Sequence, residues 1–401
     1  MTHLLLLEEA KGNQEELVNI RRRIHKNPGT GFDLSDTLTI VEEELIKLGC
    51  EPKRCGKSGI VTTIGNPTGK CFLLRADMDA LPIVEETDLA FKSPNGKMHA
   101  CGHDLHTTML LGAAKLLKSH EEDLTGLVKL IFQPAEEIML GASDMIENGC
   151  LENPQVDAGM MMHVMPALPL DDGMILISPK GKALSSCDWF EIIVTGKGGH
   201  GSTPHTTIDP IVAASNIHLA LNEIQSREVA TDDFMSLTVG EFHAGTTSNV
   251  IPETAELKGT LRTYNDDTRA YVKERMKVIG ASIGQAYRCQ VEVNFLAGCP
   301  TLENDSSLVE LANRILPDYI GETKLVPPTA LSGGAVQMGS EDFAYFSQKI
   351  PTVMSLIAAA DSRQSPAYPV HHPSLVLNED IIPYGSTTYT AIAMEWLKSN
   401  K

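Results

Sequence analysis

The chain of 401 residues is too long for one ordinary hydrophobic core and suits two domains, although a single large α/β unit is compatible with its length. Hydrophobic residues make up 42% of the chain and charged residues 21%, which is typical of a soluble globular protein. The formal net charge of −19 argues against partners such as nucleic acid or an anionic membrane, because either would repel the chain without a strong basic patch.

The start of the chain and its cysteines bear on where the protein resides. The apolar stretch of residues 4–7 runs directly into Glu8 and Glu9 with no basic segment before it, so it predicts neither a signal peptide nor a membrane span. Eight cysteines are scattered without paired spacings, which fits reduced thiols better than a disulfide framework. We therefore expect a cytoplasmic protein.

Helices and strands alternate in the first third of the chain. Apolar periodicity predicts helices at 14–25, 36–48 and 105–117, and strands at 61–64, 71–75 and 128–132. Such alternation is typical of an α/β fold with a mostly parallel sheet covered by helices.

The pattern changes after residue 185. It predicts strands and helices in the order strand 189–194, helix 209–224, strand 236–239, strand 255–262, helix 268–286 and strand 290–295. This order is that of a small α+β (ferredoxin-like) sandwich. We therefore predict that residues 185–296 form a domain inserted into a catalytic domain made of residues 1–184 and 297–401.

Five side chains of metal-binding type lie in short motifs. They are Cys101 and His103 in M-H-A-C-G-H-D, Glu137 in Q-P-A-E-E, His163 in M-M-H-V, and His371 in V-H-H-P. Thiolate, imidazole and carboxylate together suit Zn²⁺ or a similar first-row divalent ion. Glu136, adjacent to one of these side chains, is available as a base for water. The motifs together predict a two-metal hydrolase site.

Each of these residues also has a structural interpretation. A lone cysteine is most often a small buried hydrophobic residue, and an acidic pair is usually a solvated helix face. His163 stands in an apolar run, where a histidine is more often a satisfied core residue than a ligand.

Two local patterns favour the metal site over these interpretations. One glycine separates Cys101 from His103 just before a predicted helix, for which Asp104 is the predicted N-cap. Glu136 and Glu137 follow a predicted buried strand, and open α/β sheets keep their sites at strand ends.

Seven motifs run in order through nearly the whole chain. They are R-A-D-M-D-A-L-P (75–82), M-H-A-C-G-H-D-L-H (98–106), Q-P-A-E-E (133–137), G-K-G-G-H-G-S-T-P-H (196–205), S-N-V-I-P (248–252), G-S-E-D-F (339–343) and H-H-P (371–373). With these motifs the chain resembles the dinuclear metallo-amidohydrolases related to aminoacylase and glutamate carboxypeptidase. The likeness is to the branch of hippurate hydrolases, N-acyl-amino-acid amidohydrolases and plant auxin-conjugate hydrolases.

The resemblance implies two divalent metal ions and a role for each residue around them. Glu136 would be the general base and later the proton donor, and Asp79 would orient the site. The family often places Ser or Asn where this chain has His372, and the match assigns the last ligand to His371. The implied ligands are Cys101, His103, Glu137, His163 and His371, and these residue types do not choose among Zn²⁺, Mn²⁺, Co²⁺ and Ni²⁺.

The resemblance also makes the inserted domain a lid and a dimerisation surface. His200 matches the histidine that stabilises the tetrahedral oxyanion, in some relatives from the neighbouring subunit, and Asn249 would hold the same end of the substrate. Arg262 would bind the free carboxylate of the amino-acid product. On the residues alone, the glycines around His200 could form only a tight turn, and Arg262 could be an ordinary surface ion-pair residue.

The resemblance implies a homodimer or higher homo-oligomer that hydrolyses small N-acyl amino acids to a carboxylic acid and a free amino acid. One alternative is a metallo-dipeptidase or carboxypeptidase with the same metal chemistry. Another is a non-catalytic, metal-dependent binding protein, which the base Glu136 together with His200 and Arg262 disfavours. A phosphate-binding nucleotide enzyme is disfavoured because the glycine-rich segment lacks the following Lys-Ser/Thr.

Overall fold

The computed structural model describes residues 4–166, 170–327, 339–361 and 368–400. The described residues form two compact units. The first takes its residues from 4–183, 303–327 and 345–400, and the second from 184–302 and 339–344. The second unit therefore extends past the predicted segment 185–296 at its C-terminal side and includes a short stretch further along the chain.

The helices and strands are numbered here in chain order. The helices are α1 (Leu4–Gly12), α2 (Gln14–Lys26), α3 (Ser35–Lys47), α4 (His103–Ser119), α5 (Gly141–Glu147), α6 (Pro210–Glu223), α7 (Asp266–Tyr287), α8 (Ser306–Ile320), α9 (Ala344–Ser347) and α10 (Ile382–Ser399). The strands are β1 (Lys53–Cys55), β2 (Gly59–Gly65), β3 (Cys71–Asp77), β4 (Leu127–Gln133), β5 (Ala158–Met165), β6 (Ile175–Ile177), β7 (Gly181–Leu184), β8 (Cys187–Thr195), β9 (Gly199–His200), β10 (Met235–Ala244), β11 (Val250–Ile251), β12 (Thr254–Thr263), β13 (Gln290–Cys299), β14 (Leu302–Asn304), β15 (Leu325–Val326) and β16 (Thr352–Ala358).

The first unit is built on a mixed sheet whose centre is parallel. Within the described ranges it has eight strands in the order β1-β2-β4-β3-β5-β16-β6-β15. β4, β3, β5 and β16 run parallel, whereas β2 and β6 join this centre antiparallel. Every residue of β3 and β4 is buried, which is why most of their residues are apolar and do not alternate with polar ones. The predicted mostly parallel α/β fold is confirmed.

Helices α4 and α10 approach each other closely in the core of the first unit. A Cβ atom at Gly112 of α4 would collide with Ser386 of α10, and one at Gly385 of α10 would collide with Met109 of α4. Glycine at these two positions therefore lets the helix axes come together. The contact fixes α4, whose first turn carries candidate site residues.

The second unit is a four-stranded antiparallel sheet in the order β10-β12-β8-β13, packed against α6 and α7. The chain order β8-α6-β10-β12-α7-β13 is the predicted strand-helix-strand-strand-helix-strand sequence, so the predicted α+β class of this unit is confirmed. Its core is formed by alternate residues of the strands and one side of each helix. In the described chain, every helix is too short or too polar to cross a bilayer.

Candidate metal and catalytic site

The site lies at the carboxyl ends of three neighbouring strands of the first unit. β3 pairs in parallel with both β4 and β5, so the ends of these strands lie side by side. Asp79 follows β3, Glu136 and Glu137 follow β4, and His163 is on β5. The sheet thus brings together residues that are far apart in the sequence.

Potential ligand atoms from the five predicted ligands and from the predicted base Glu136 form overlapping groups. The ligand atoms within each of three groups lie within 4.8 Å of one another: Cys101, His103 and His163; Cys101, Glu137 and His371; His103, Glu136 and Glu137. Because Cys101, His103 and Glu137 each belong to two groups, the groups are adjacent. Two neighbouring cation positions are compatible with this arrangement.

The distances identify which atoms face one another. Cys101 Sγ lies 3.5 Å from His163 Nε2, and His371 Nε2 lies 3.6 Å from Glu137 Oε2. His372, the other member of the histidine doublet, stacks its ring on Tyr368 at 4.1 Å between centroids. The geometry therefore favours His371 as the candidate ligand.

Backbone carbonyl groups fix the orientation of two of the histidines. His103 Nδ1 lies 2.8 Å from the carbonyl oxygen of Asp79, and His163 Nδ1 lies 2.7 Å from that of Val164. A carbonyl oxygen only accepts, so each Nδ1 carries a hydrogen, and in the neutral ring each Nε2 has a free lone pair. This is the usual outer-shell arrangement of a metal-binding histidine.

Two buried polar atoms test whether the residues of the site fit a cation. Within the part of the chain described, neither His103 Nε2 nor Glu137 Oε1 makes a hydrogen bond, although both are buried. They face each other across 3.9 Å. Buried polar atoms are rarely left without a partner, so a cation that both atoms contact fits the residues present.

The charges of the site also fit a cation. The pKa of Glu137 is raised to about 7, because burial, Asp79 and Asp77 together outweigh the opposing effect of His103, burial being the largest cause. Burial also raises the pKa of the Cys101 thiol above its ordinary value, whereas it lowers the pKa of His163 to about 3. A bound divalent cation would favour the ionised forms of Cys101 and Glu137 and the neutral form of His163.

Asp79 makes the contacts expected of an orienting residue. Its carboxylate oxygens accept hydrogen bonds from the backbone N–H of Glu136 at 3.0 Å and of Glu137 at 3.2 Å. Ala135, just before them, has φ 56°, a left-handed conformation that is unfavourable for alanine. The two hydrogen bonds that Asp79 accepts help to hold this turn and the glutamates that follow it.

The start of α4 differs from the prediction. Asp104 is not the N-cap: Gly102 precedes the helix with φ 85°, and a Cβ at that position would collide with Val164. Asp104 is instead buried within the first turn, where its carboxylate lies 2.7 Å from both Arg21 Nε and His25 Nδ1. The chain therefore needs glycine between the two candidate ligands Cys101 and His103.

Asp77 and His106 were missed by the sequence analysis. The buried Asp77 carboxylate lies 2.7 Å from Arg75 Nη1, 2.6 Å from His106 Nδ1 and 3.7 Å from His103 Nε2. Burial would raise the pKa of Asp77, but the neighbouring His103, His106 and Arg75 lower it well below its ordinary value. A signal was present in the spacing, because His106 follows His103 by one helical turn.

The predicted catalytic residue His200 and the predicted substrate-binding residues Asn249 and Arg262 belong to the second unit. His200 is exposed, and its Nδ1 accepts a hydrogen bond from the backbone N–H of Ser202 at 3.1 Å, so the hydrogen of the neutral ring is on Nε2. Asn249 is its neighbour, since the Asn249 carbonyl accepts from the N–H of Gly201 at 2.8 Å. Arg262 on β12 is half-buried and donates from Nη1 to Ser340 Oγ at 2.9 Å.

Comparison with known proteins identifies relatives along the whole chain. Residues 73–395 match the family described as peptidase family M20/M25/M40. The chain is 38% identical over 401 residues to IAA-amino acid hydrolase ILR1-like 2 of Arabidopsis thaliana, covering 98% of this chain and 88% of that protein. It is 36% identical to the hippurate hydrolase of Campylobacter jejuni, covering 98% of this chain and all 100% of that protein. It is 35% identical to thermostable carboxypeptidase 1 of Saccharolobus solfataricus, covering 99% of this chain and 100% of that protein.

A solved structure from Bacillus subtilis is similar over nearly the same extent. It is that of a dinuclear metal binding peptidase from the M20 family, with a TM-score of 0.77 and 33% sequence identity. The likeness covers 97% of this chain and 99% of that one.

Proposed function

Because the chain belongs to peptidase family M20/M25/M40, we propose that it hydrolyses the amide bond of N-acyl amino acids to give a carboxylic acid and a free amino acid. The chain is a metal-dependent amide hydrolase. The observation that carries this proposal is the set of overlapping ligand groups at the carboxyl ends of β3, β4 and β5, with Glu136 among them. The relatives named for hydrolysis of IAA-amino acids and of hippurate support acylated amino acids as the substrate class.

Two divalent cations would be held by the candidate ligands, and the dinuclear relative supports that number. When bound, they supply positive charge that polarises the amide carbonyl group and lowers the pKa of water. A donor set of one thiolate, imidazoles and a carboxylate suits Zn²⁺, Mn²⁺, Co²⁺ or Ni²⁺. The proposed ligands are Cys101, His103, Glu137, His163 and His371.

Glu136 carries the proton in this proposal. Its carboxylate takes a proton from the attacking water and then delivers that proton to the nitrogen of the leaving amine. Its position supports this role: Glu136 is 8% exposed, its backbone is held by Asp79, and one carboxylate oxygen lies 3.9 Å from His103 Nε2. Asp79 keeps the base at a fixed place beside the candidate ligands.

The second unit is proposed to bind the substrate. The exposed Nε2–H of His200 is a donor of the kind that stabilises the negative charge on the carbonyl oxygen during attack. Asn249, its neighbour, would bind the same end of the substrate. Arg262 has a planar guanidinium that can bind both oxygens of the amino-acid carboxylate.

A carboxypeptidase or dipeptidase is the second candidate function. The thermostable carboxypeptidase relative favours it, since this chain covers that protein completely at 35% identity. Both functions use the same ligands, the same base and a carboxylate-binding arginine. They differ only in whether the group on the amide carbonyl is a simple acyl group or an amino acid.

Assembly and location complete the proposal. We expect a homodimer or higher homo-oligomer formed through the second unit, where the exposed apolar residues Ile211, Val212, Leu219 and Phe242 and the edge strand β10 support an association surface. Eight buried free thiols support a cytoplasmic location.

Release of free amino acid from a substrate panel tests the proposed function. The panel contains N-acetyl, N-benzoyl and indole-acetyl amino acids, unmodified dipeptides, and an N-benzoyl amino acid amide that lacks the carboxylate. Metal-depleted protein is the control, reloaded separately with each of the four ions. We expect metal-dependent hydrolysis of acylated amino acids and poor hydrolysis of the amide. Cleavage confined to dipeptides would move the assignment to a peptidase, and no hydrolysis with any ion would contradict both.

A further inference from the structure

Strands β3 and β5 separate just before the site. Their parallel pairing runs from Phe72 opposite Ala158 to Arg75 opposite Met161, whereas the two strands continue to Asp77 and Met165. Beyond that point, side chains from two helices span the space between the strands.

Tyr389 of α10 makes the first of these connections. Its hydroxyl accepts from the backbone N–H of Met162 at 3.0 Å and donates to the carbonyl oxygen of Arg75 at 2.8 Å. This connection is between the two strands and includes no candidate ligand.

His106 of α4 makes the second connection, two residues further along β5. Its Nε2 lies 2.9 Å from the backbone N of Val164, and its Nδ1 lies 2.6 Å from Asp77 Oδ1. A backbone N–H only donates, so Nε2 is the acceptor and Nδ1 carries the hydrogen that is donated to Asp77. Arg75 holds the same carboxylate from the other side at 2.7 Å.

Val164 in turn orients His163. The carbonyl oxygen of Val164 accepts the Nδ1–H of His163 at 2.7 Å, while the N–H of Val164 is held by His106. The His106 ring lies 4.6 Å from the His163 ring and 5.3 Å from the His103 ring, measured between centroids. His106 is therefore packed between two candidate ligands and connected to the residue that orients one of them.

We propose that His106 is a positioning residue, which sets the place and ring orientation of His163 by connecting the Val164 backbone to Asp77. This inference rests on the proposed function, in which His163 binds a divalent cation. It assigns to His106 a task that Tyr389 does not have, although both side chains join the same two strands.

Two substitutions separate the connections that His106 makes. In His106→Gln the amide oxygen can reach the place of Nε2 and accept from Val164. In His106→Asn the amide nitrogen stands at the place of Nδ1 and can donate only to Asp77, which leaves the Val164 N–H without its acceptor. Tyr389→Phe is the matched control, because it removes a connection between the same strands without touching Val164.

The measurement is the affinity of the metal-depleted protein for Co²⁺ and for Zn²⁺, by competition with a chelating dye, with thermal unfolding of the metal-free variants alongside. We expect His106→Asn to weaken binding at one of the two cation positions, the one that His163 contacts, whichever metal is used. The loss should be about 10–100-fold, the range typical for outer-shell partners of metal ligands. His106→Gln should restore most of that affinity. Tyr389→Phe should lower the unfolding temperature and leave the ion affinities unchanged.

A double substitution tests whether the effect passes through His163. In a His163→Ala background, His106→Asn should cause no further loss of affinity, because the ring that His106 positions is gone. A loss that persists there would overturn the proposal. So would wild-type affinity in His106→Asn, or an equal loss in His106→Asn, His106→Gln and Tyr389→Phe.

Failure of the proposed function would look different. Wild-type protein that binds two ions but hydrolyses no N-acyl amino acid would overturn the function, and the ion affinities of the variants would still decide the role of His106. Active protein whose His106→Asn variant binds both ions normally would overturn the positioning role alone.

Discussion

The two units hold their candidate catalytic residues in opposite ways. In the first unit, His103 is fully buried and Glu136 is 8% exposed, and backbone hydrogen bonds fix both residues. In the second unit, His200 on the short strand β9 and Asn249 in the turn before β11 are exposed, with hydrogen bonds mainly to their own neighbours. The same residue type, histidine, is thus fixed in a buried site in one unit and accessible to solvent in the other.

This difference fits two kinds of task. Cation binding and proton transfer need ligand atoms at set distances, and a buried, hydrogen-bonded site provides them. Recognition of a substrate needs donors that solvent and substrates can reach, which exposed side chains provide. Changes in the first unit should therefore act on metal content, on turnover or on both. Changes in the second unit should act on turnover or substrate binding and leave metal content unchanged.

The largest expected effect is that of Glu136→Gln in the first unit. Turnover should fall by roughly 10²–10⁴-fold, because the amide cannot accept the proton of water. Metal content should stay normal, since Asp79 holds the backbone at this position rather than the side chain. The measurements are kcat and metal content after gel filtration.

Glu137→Gln is the matched control one residue along. It should lose bound metal as well as turnover, because the Glu137 carboxylate belongs to two of the ligand groups. Full turnover in a metal-loaded Glu136→Gln variant would remove Glu136 from the role of base.

The next effect is expected from His200→Ala in the second unit. Turnover should fall by about 10²–10³-fold, the range for removing one donor to a developing oxyanion, with metal content unchanged. His200→Gln, whose amide nitrogen can stand at the place of Nε2, should keep more of the activity than His200→Ala. The measurement is steady-state kcat and KM of the two variants and of the wild type. If His200→Ala matches the wild type, the exposed histidine has no part in the reaction.

The sequence predicted those features of the two units that depend on local patterns of residues. The apolar runs of β3 and β4 and the helices of the second unit stand where periodicity places them, because burial in a layered fold follows from such patterns. The candidate ligands were named from motifs, and the strand order then brought them together. The last strand of the second unit was predicted to end at residue 295, but β13 runs to Cys299. Its pairing with β8 continues past a register shift between Phe295 and Ala297, and the sequence pattern does not show such a shift.

The sequence could not predict partners that depend on the folded chain. Asp104 has the residue type of an N-cap, but the left-handed Gly102 moves the helix start and turns Asp104 toward Arg21 and His25. His106 shares a helix face with His103, yet its acceptor role depends on Val164 of a distant strand. Such contacts arise only when three strands and a helix are already in place.

The smallest expected effect concerns an ion pair in the second unit. Glu228 lies 2.5 Å from Arg275 Nε and 2.8 Å from Tyr271 Oη, and these hydrogen bonds lower the pKa of its carboxyl to about 2. Since the folded-state pKa is lowered, the pair stabilises the fold above the ordinary pKa of 4.5 and loses that contribution as the pH falls toward 2.

Replacement of this glutamate should therefore matter at neutral pH and cease to matter in acid. Solvent screens a pair that is this accessible, so we expect Glu228→Gln to reduce the free energy of unfolding by only ~0.5 kcal/mol at pH 7. Urea unfolding at pH 7 and near the lowered pKa measures the difference, with Glu292→Gln, at an exposed position on β13 of the same unit, as control. A loss that is equal at both pH values would mean that Glu228 stabilises the unit by packing, and the contrast between buried fixed charges and exposed weak ones would then not extend to this pair.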